Sequence, residues 1–377
     1  MLDRLPIEVW NNSTLKFVDP SCKSGIFLSE VVIRLMKGLE QWEPDELKRH
    51  EHIIKNMVFG YAYTRLGYKI TKKLLYGDSS YDCDNIKLKL FSDETDLTVK
   101  FNVIVGNPPY NKPPKVDGEN PNRGSLWPAF VEKSINLLKD GGYLCMVHPS
   151  KWRRPADKLW PIITANQIHY LSIHNLSDGQ KTFDCETRYD WYVLQKISPC
   201  QKTIIRDEQG IINAFDLRNH NWIPNFFVDN FEKLFAKCAD EKCKVLRTTN
   251  YRTDKPWISR IKGGQFVYPV VLGVDGGKHT FCYASKKISD FGESKVVCVG
   301  TSGECGVYPI NDFNGEYGIN GNSFGIPITS KQEGDDIVKA LSSKKFNNFL
   351  KSILWTGYWV NYKAFEYLKK DFWKEFI

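Results

Sequence analysis

The stretch FNVIVGNPPY (101–110) constrains the fold more than any other part of the chain. Phe101, Val103, Ile104 and Val105 form a continuous apolar run, the pattern of a strand buried on both faces of a parallel sheet. Pro108 and Pro109 must then end the pairing, because neither has a backbone N–H and each pushes the residue before it into an extended conformation. Such an exit is stiff. It presents the Asn107 amide, the Pro108 carbonyl and the Tyr110 ring at the carboxyl edge, where open α/β sheets hold their ligands.

The flanking chain alternates strand and helix patterns. LKFVD (15–19), NMVFGYAY (56–63), LLYGDS (74–79), YLCMVHP (143–149), IHYLSIH (168–174) and YDWYVLQKI (189–197) read as strands, and GIFLSEVVIRLMKGL (25–39) and LWPAFVEKSINLLK (126–139) as helices. This rhythm predicts an α/β fold with a doubly wound, mostly parallel, Rossmann-like sheet over residues 1–197. From residue 198 the texture changes to Gly, Asn, Lys and short β-branched runs such as KVVCVG (295–300), so a second, mixed α/β domain is expected over 198–377. The loop YNKPPKVDGENPNRGS (110–125) is long enough to be a lid.

Length and charge agree with two domains and an anionic partner. At 377 residues the chain exceeds the usual single core, and its formal charge of +8 is a modest basic excess. Aromatic content of 14% suits a large core or stacking surfaces. The sequence has no apolar run of membrane-spanning length, and its opening lacks the apolar stretch of a signal peptide, so an intracellular protein with reduced thiols is expected. No cysteine spacing matches a zinc pattern.

The first strand ends FVDPSCKSGIFL: an acid at the tip, a tight turn, and Gly25 opening a helix whose N-terminus faces whatever lies above the sheet. Asp78 of YGDS reads as a second strand-tip acid. In order and spacing, VDPSCKSG, GDS and NPPY resemble the S-adenosylmethionine-dependent N6-adenine DNA methyltransferases of restriction-modification systems, in the arrangement with the cofactor region first and a target-recognition domain after it. LWPAFVEKSINLLKDGGYLCMVHPSKW and TFDCETRYDWYVLQK are similar to later segments of that family. The resemblance covers roughly residues 10–197 and implies a methyltransferase sheet.

It also implies roles. Asn107, Pro108, Pro109 and Tyr110 would be catalytic, with Asp19, Pro20, Ser21, Cys22 and Gly25 at the methionine end of S-adenosylmethionine and Asp78 at its adenine amino group. Phe130, with Trp127, would pack the adenosine. The chemistry explains the residue types. An adenine amino nitrogen delocalises its lone pair into the ring, and accepting both its hydrogens on the Asn107 side-chain oxygen and the Pro108 carbonyl would free that pair. The base must first be flipped out of the duplex, with Tyr110 stacking on one face and Phe183 closing the other. Lys151, Arg153 and Arg154 of PSKWRRPADKLW, and the basic YRTDKPWISRIKGG (251–264), are candidates for contact with double-stranded DNA.

Three departures set this chain apart from the family. Lys23 replaces a glycine in the turn, and the second strand carries Tyr61, Ala62 and Tyr63 where an acid grips the ribose. The upstream motif that lines the methionine pocket has no counterpart before residue 15, so either that wall is missing or a second protein subunit supplies it. Two other readings therefore stand beside the first: a DNA-binding subunit with an eroded cofactor site, and an NPPY-type methyltransferase of RNA bases or protein glutamine. The resemblance implies a cytoplasmic protein of bacterial, phage or viral origin without a membrane partner. SPCQ (198–201) matches the core of cytosine-C5 methyltransferases, but Cys200 follows the last strand and is rejected as a nucleophile.

Overall fold

Local pattern and long-range pairing combine here into two compact units. In the computed structural model one comprises Met1–Trp152 with Lys158–His220, the other Arg153–Asp157 with Asn221–Ile377. The structure describes residues 1–79, 81–93, 98–111, 124–300, 306–356 and 359–377. Most of the 110–125 loop, residues 112–123, thus lies outside the described residues.

Among the described residues the first unit contains a nine-stranded sheet. Its strands are β1 (Phe17–Asp19), β2 (Val58–Ala62), β3 (Ile86–Leu88), β4 (Phe101–Gly106), β5 (Leu138–Pro149), β6 (Gln167–His174), β7 (Tyr189–Gln195), β8 (Thr203–Arg206) and β9 (Ile212–Phe215). They lie in the order β3-β2-β1-β4-β5-β7-β6-β8-β9. β1 to β5 pair in parallel, and β7 enters antiparallel between β5 and β6. The expected doubly wound, mostly parallel sheet is therefore present. Its winding reverses between β1 and β4, and in such sheets the crevice at the carboxyl ends of those strands is the ligand edge.

The helices are α1 (Ile26–Gly38), α2 (Glu46–His52), α3 (Arg65–Tyr76), α4 (Trp127–Leu137), α5 (Leu159–Thr164) and α6 (Leu176–Phe183). α1 buries Leu28, Val31, Val32 and Leu35, the i, i+3, i+4, i+7 stripe that packs on a sheet. With Phe17, Val58, Val103 and Val105 they form the main core. Residues before β1 also pack: Trp10 stacks on Phe17 at 5.6 Å, and its carbonyl crowds Gly38 at the end of α1. That contact lies at the amino edge of the sheet, opposite the ligand edge.

One element differs from expectation. LLYGDS is not a strand: Leu74, Leu75 and Tyr76 are the last turn of α3, which Gly77 ends at φ 60°. The stripe Gly67, Thr71, Leu75 keeps a four-residue period and fixes the helix. Because α3 crosses back from the carboxyl edge, Asp78 emerges at the amino edge. The true third strand is β3. A parallel pair needs a crossover of about a dozen residues or more, and residues 64–73 between the two supposed strands were too few to provide it.

The boundary also moves. The sheet continues past residue 197 through β8 and β9, so the first unit extends to His220. The second unit contains β10 (Ile258–Ser259), β11 (Tyr268–Asp275), β12 (Lys278–Ala284), β13 (Lys295–Val299), β14 (Ile310–Asp312), β15 (Gly318–Ile319) and β16 (Ser323–Pro327), then α7 (Lys331–Leu341) and α8 (Lys344–Ser352). They make sheets of order β10-β12-β11-β15 and β14-β13-β16. Gly276 and Gly277, both at positive φ, turn β11 into β12 through the two-residue hairpin that only such residues allow. A buried Lys295–Asp312 pair at 2.8 Å ties β13 to β14. Many of the aromatics are core: Trp222 packs on Phe231, Phe235 and Trp355, and Phe346 on Phe349, Phe365, Phe372 and Phe376. No helix among the described residues is long and apolar enough to cross a membrane.

Candidate active site at the carboxyl edge of the first sheet

The turn after β1 is built by contacts from three elements. Asp19 is buried, and its Oδ1 accepts the Ser21 N–H at 2.8 Å. The Cys22 N–H donates to the Tyr61 carbonyl of β2, and the Thr71 hydroxyl of α3 donates to the Lys23 carbonyl at 3.2 Å. Gly25 opens α1 at φ 82°. Burial raises the Asp19 carboxyl to about 7 against the opposing pull of the Ser21 hydrogen bond, and pushes the Cys22 thiol up to about 12. Cys22 is therefore a protonated packing residue in the turn, together with buried Pro20.

β4 runs beside β1, with Val18 paired to Ile104, and this brings the NPPY exit to the same edge. A Cβ on Gly106 would stand 2.8 Å from Asp19 Oδ1 and 3.2 Å from Pro20 Cδ, so only glycine leaves the two strand tips room to adjoin. Beyond it Pro108 is buried and Asn107, Pro109 and Tyr110 are half-buried. The Asn107 side-chain oxygen and the Tyr110 hydroxyl are both shielded from solvent and have no hydrogen-bond partner among the described residues. A buried polar atom without a partner costs about 1–3 kcal/mol, which is tolerable where a ligand supplies the partner. Burial, with Tyr189 and Asp190 nearby, pushes the Tyr110 hydroxyl up from its ordinary range. The loop that follows is closed at its base by Leu126 N–H donating to the Tyr110 carbonyl and by a bridge between Asn111 and Ser125.

Phe183, at the end of α6, meets Tyr110 edge to face with ring centroids 6.0 Å apart, and packs on Tyr189 at 4.9 Å. The two rings named from sequence thus lie together, but they meet each other edge to face instead of standing as parallel faces on either side of a base. Asp190, which sequence reading passed over, is buried at the same edge and accepts the Trp152 indole N–H at 2.8 Å. A buried acid at the start of a strand that reads YDWYVLQ was its only signal.

The neighbouring tips of β2 and α4 are aromatic. Tyr61 meets Phe91 at 5.1 Å and Phe91 meets Phe130 at 5.7 Å, all three buried. Trp127 is covered by the His148 ring, stacked at 4.6 Å. Ala62, where the resemblance leads one to expect an acid, is buried at the tip of β2. Asp78 is not part of this edge: it is almost wholly exposed and pairs with Lys73. The first described carboxylate after β3 is Asp93, exposed in the turn Phe91–Asp93.

The three basic candidates separate. Arg153 is fully buried in the second unit, donating to the carbonyls of Ile223 and Pro224 and to Asn225 Oδ1 at 2.9–3.1 Å, so it is a structural strut and not a phosphate contact. Arg154 pairs with Asp157 at 3.2 Å. Lys151 is half-buried at the end of β5.

The chain is similar to known proteins. Residues 31–183 match the model of the Eco57I restriction-modification methylase family. An uncharacterized adenine-specific methylase of Mycoplasma pneumoniae is 25% identical over 232 residues, covering 42% of this chain and 54% of that protein. The type II methyltransferase M.BstVI of Geobacillus stearothermophilus is 24% identical over 233 residues, covering 52% of this chain and 39% of that protein. The chain thus spans about half or less of the length of these curated relatives. In fold, it is similar to the Type IIL restriction-modification enzyme MmeI solved in complex with DNA, with a TM-score of 0.51 and 14% identity over 96% of this chain and 64% of that one. Over residues 31–183, the chain is thus similar to the Eco57I restriction-modification methylases.

Proposed function

We propose that the chain transfers a methyl group from S-adenosylmethionine to the N6 amino group of an adenine flipped out of double-stranded DNA. The observation that carries this reading is the buried Asn107 side-chain oxygen, without a hydrogen-bond partner among the described residues, beside the Asp19 turn. The turn suits the methionine end of the cofactor: Asp19, Ser21 and the α1 N-terminus supply polar groups, and Gly106 lets the NPPY exit stand directly against them. The nucleoside end offers Tyr61, Phe91 and Phe130 in place of the ribose acid. When bound, S-adenosylmethionine supplies an electrophilic methyl group on a sulfonium.

The chain's own residues do the rest. Asn107 Oδ1 and the Pro108 carbonyl accept the two amino hydrogens of the adenine, which localises the nitrogen lone pair. Tyr110 stacks on the base and Phe183 bounds the pocket, a contribution of roughly 1–3 kcal/mol for the stacked ring. The reading is tested by incubating the protein with labelled S-adenosylmethionine and genomic DNA. Label should appear as N6-methyladenine with the wild type and be lost in Asn107→Ala, which should still bind the cofactor in a calorimeter. Undiminished transfer by Asn107→Ala would remove the assignment.

A further inference from the structure

The second unit has a cavity of its own, of about 340 Å³, which the methyl-transfer site does not use. Its wall includes three cations, Arg154, Arg247 and Lys363, and four aromatic residues, Phe324, Trp355, Trp359 and Tyr362. No carboxylate side chain is among the described residues lining it. Among the described residues, Arg154 is the one of the three with an ion-pair partner, Asp157. The cavity therefore attracts an anion.

The rings indicate what kind. Trp355 is buried, and its indole donates to the Ile223 carbonyl, so it is a floor. Arg247 lies 3.9 Å above the Tyr362 ring and donates to the Gly321 carbonyl, which fixes its guanidinium as a flat cationic wall. Trp359, by contrast, is 52% exposed. A large ring left open beside cations is the pairing that holds a base by stacking and its phosphate by charge. The volume lies at the small end of ligand pockets, the size of one nucleotide rather than of a larger ligand.

We infer that this cavity receives a single unstacked nucleotide of a DNA strand, with the base on Trp359 and the phosphate between Arg247 and Lys363. Only the choice of a DNA strand over a free nucleotide rests on the methyl-transfer reading. The test uses the full chain, as wild type, Trp359→Ala and Lys363→Gln, titrated into a fluorescein-labelled single-stranded octanucleotide and, separately, with thymidine monophosphate. Trp359→Ala should weaken octanucleotide binding about tenfold or more. Lys363→Gln should weaken it severalfold and reduce the slope of log affinity against log salt by about 0.7, the share of one single-strand phosphate.

Both positions border solvent, and two separate variants guard against loss of one to misfolding. Equal octanucleotide binding by all three proteins would overturn the inference, whatever the methyl-transfer assay gives. Thymidine monophosphate binding as tightly as the octanucleotide would overturn the assignment to a strand. Weakened octanucleotide binding in both variants, from a wild type that transfers no methyl group, would sustain the pocket and remove the methyl-transfer reading instead.

Discussion

Gly106 and Asp19 occupy the tips of adjacent parallel strands so closely that a Cβ on Gly106 would lie 2.8 Å from the Asp19 carboxylate. Asp19 cannot turn away without giving up its bond to Ser21 N–H. Gly106→Ala should therefore destabilise the protein by about 1–3 kcal/mol, the usual penalty for overpacking. It should also weaken S-adenosylmethionine binding, because the β1 turn must shift. Denaturant unfolding and calorimetry of the variant read both effects, and unchanged values would show that the two tips are not coupled.

The Tyr110 hydroxyl is buried without a partner among the described residues, while its ring faces Phe183. The ring and the hydroxyl should then separate cleanly. Tyr110→Phe is expected to keep or slightly raise stability and to retain transfer within a few-fold, whereas Tyr110→Ala should weaken capture of the flipped base by roughly 1–3 kcal/mol. Fluorescence of 2-aminopurine placed at a mapped target adenine measures the capture. A large loss in Tyr110→Phe would mean that the hydroxyl, and not the ring, meets the base.

Lys23 stands in the left-handed region at φ 46°, in the turn where the resembling family has glycine. That conformation costs a side-chain-bearing residue roughly 1–2 kcal/mol, offset in part by the extra freedom glycine has when unfolded. Lys23→Gly should raise stability by several tenths to about 1 kcal/mol in urea titrations. A loss of stability would indicate that the lysine side chain makes a compensating contact.

The Asp19 carboxyl is raised by burial to about 7 from an ordinary value near 3.8. The native state therefore holds a proton that the unfolded chain gives up first. Its stabilising contribution is complete below about pH 4 and is lost as the pH rises to about 7. Asp19→Asn removes this dependence, so the unfolding free energy of the variant relative to wild type should climb between about pH 4 and 7 and level off above. Urea unfolding across that range measures it, and a difference independent of pH would show that Asp19 ionises as an ordinary carboxylate.

What the chain alone made legible was local. The apolar run of β4 and the two prolines after it define a buried strand with a stiff exit, because strand burial and proline geometry depend on immediate neighbours. The same holds for the turn from β1 into α1, where Gly25 and a helical stripe of Leu28, Val31 and Leu35 leave little choice. The short apolar run Leu74–Tyr76 fits a strand or a helix equally well by period, and only the crossover between β2 and β3 decided it, carrying Asp78 to the far edge. Arg153 read as a surface cation because charge ordinarily stays in water; carbonyls and an amide from residues 223–225 accept three hydrogen bonds from it and let it be buried. The meeting of Tyr110 with Phe183, and of Trp152 with Asp190, likewise depends on the insertion of β7 between β5 and β6. Pairings between residues so far apart in the chain follow from strand order, which no local pattern encodes.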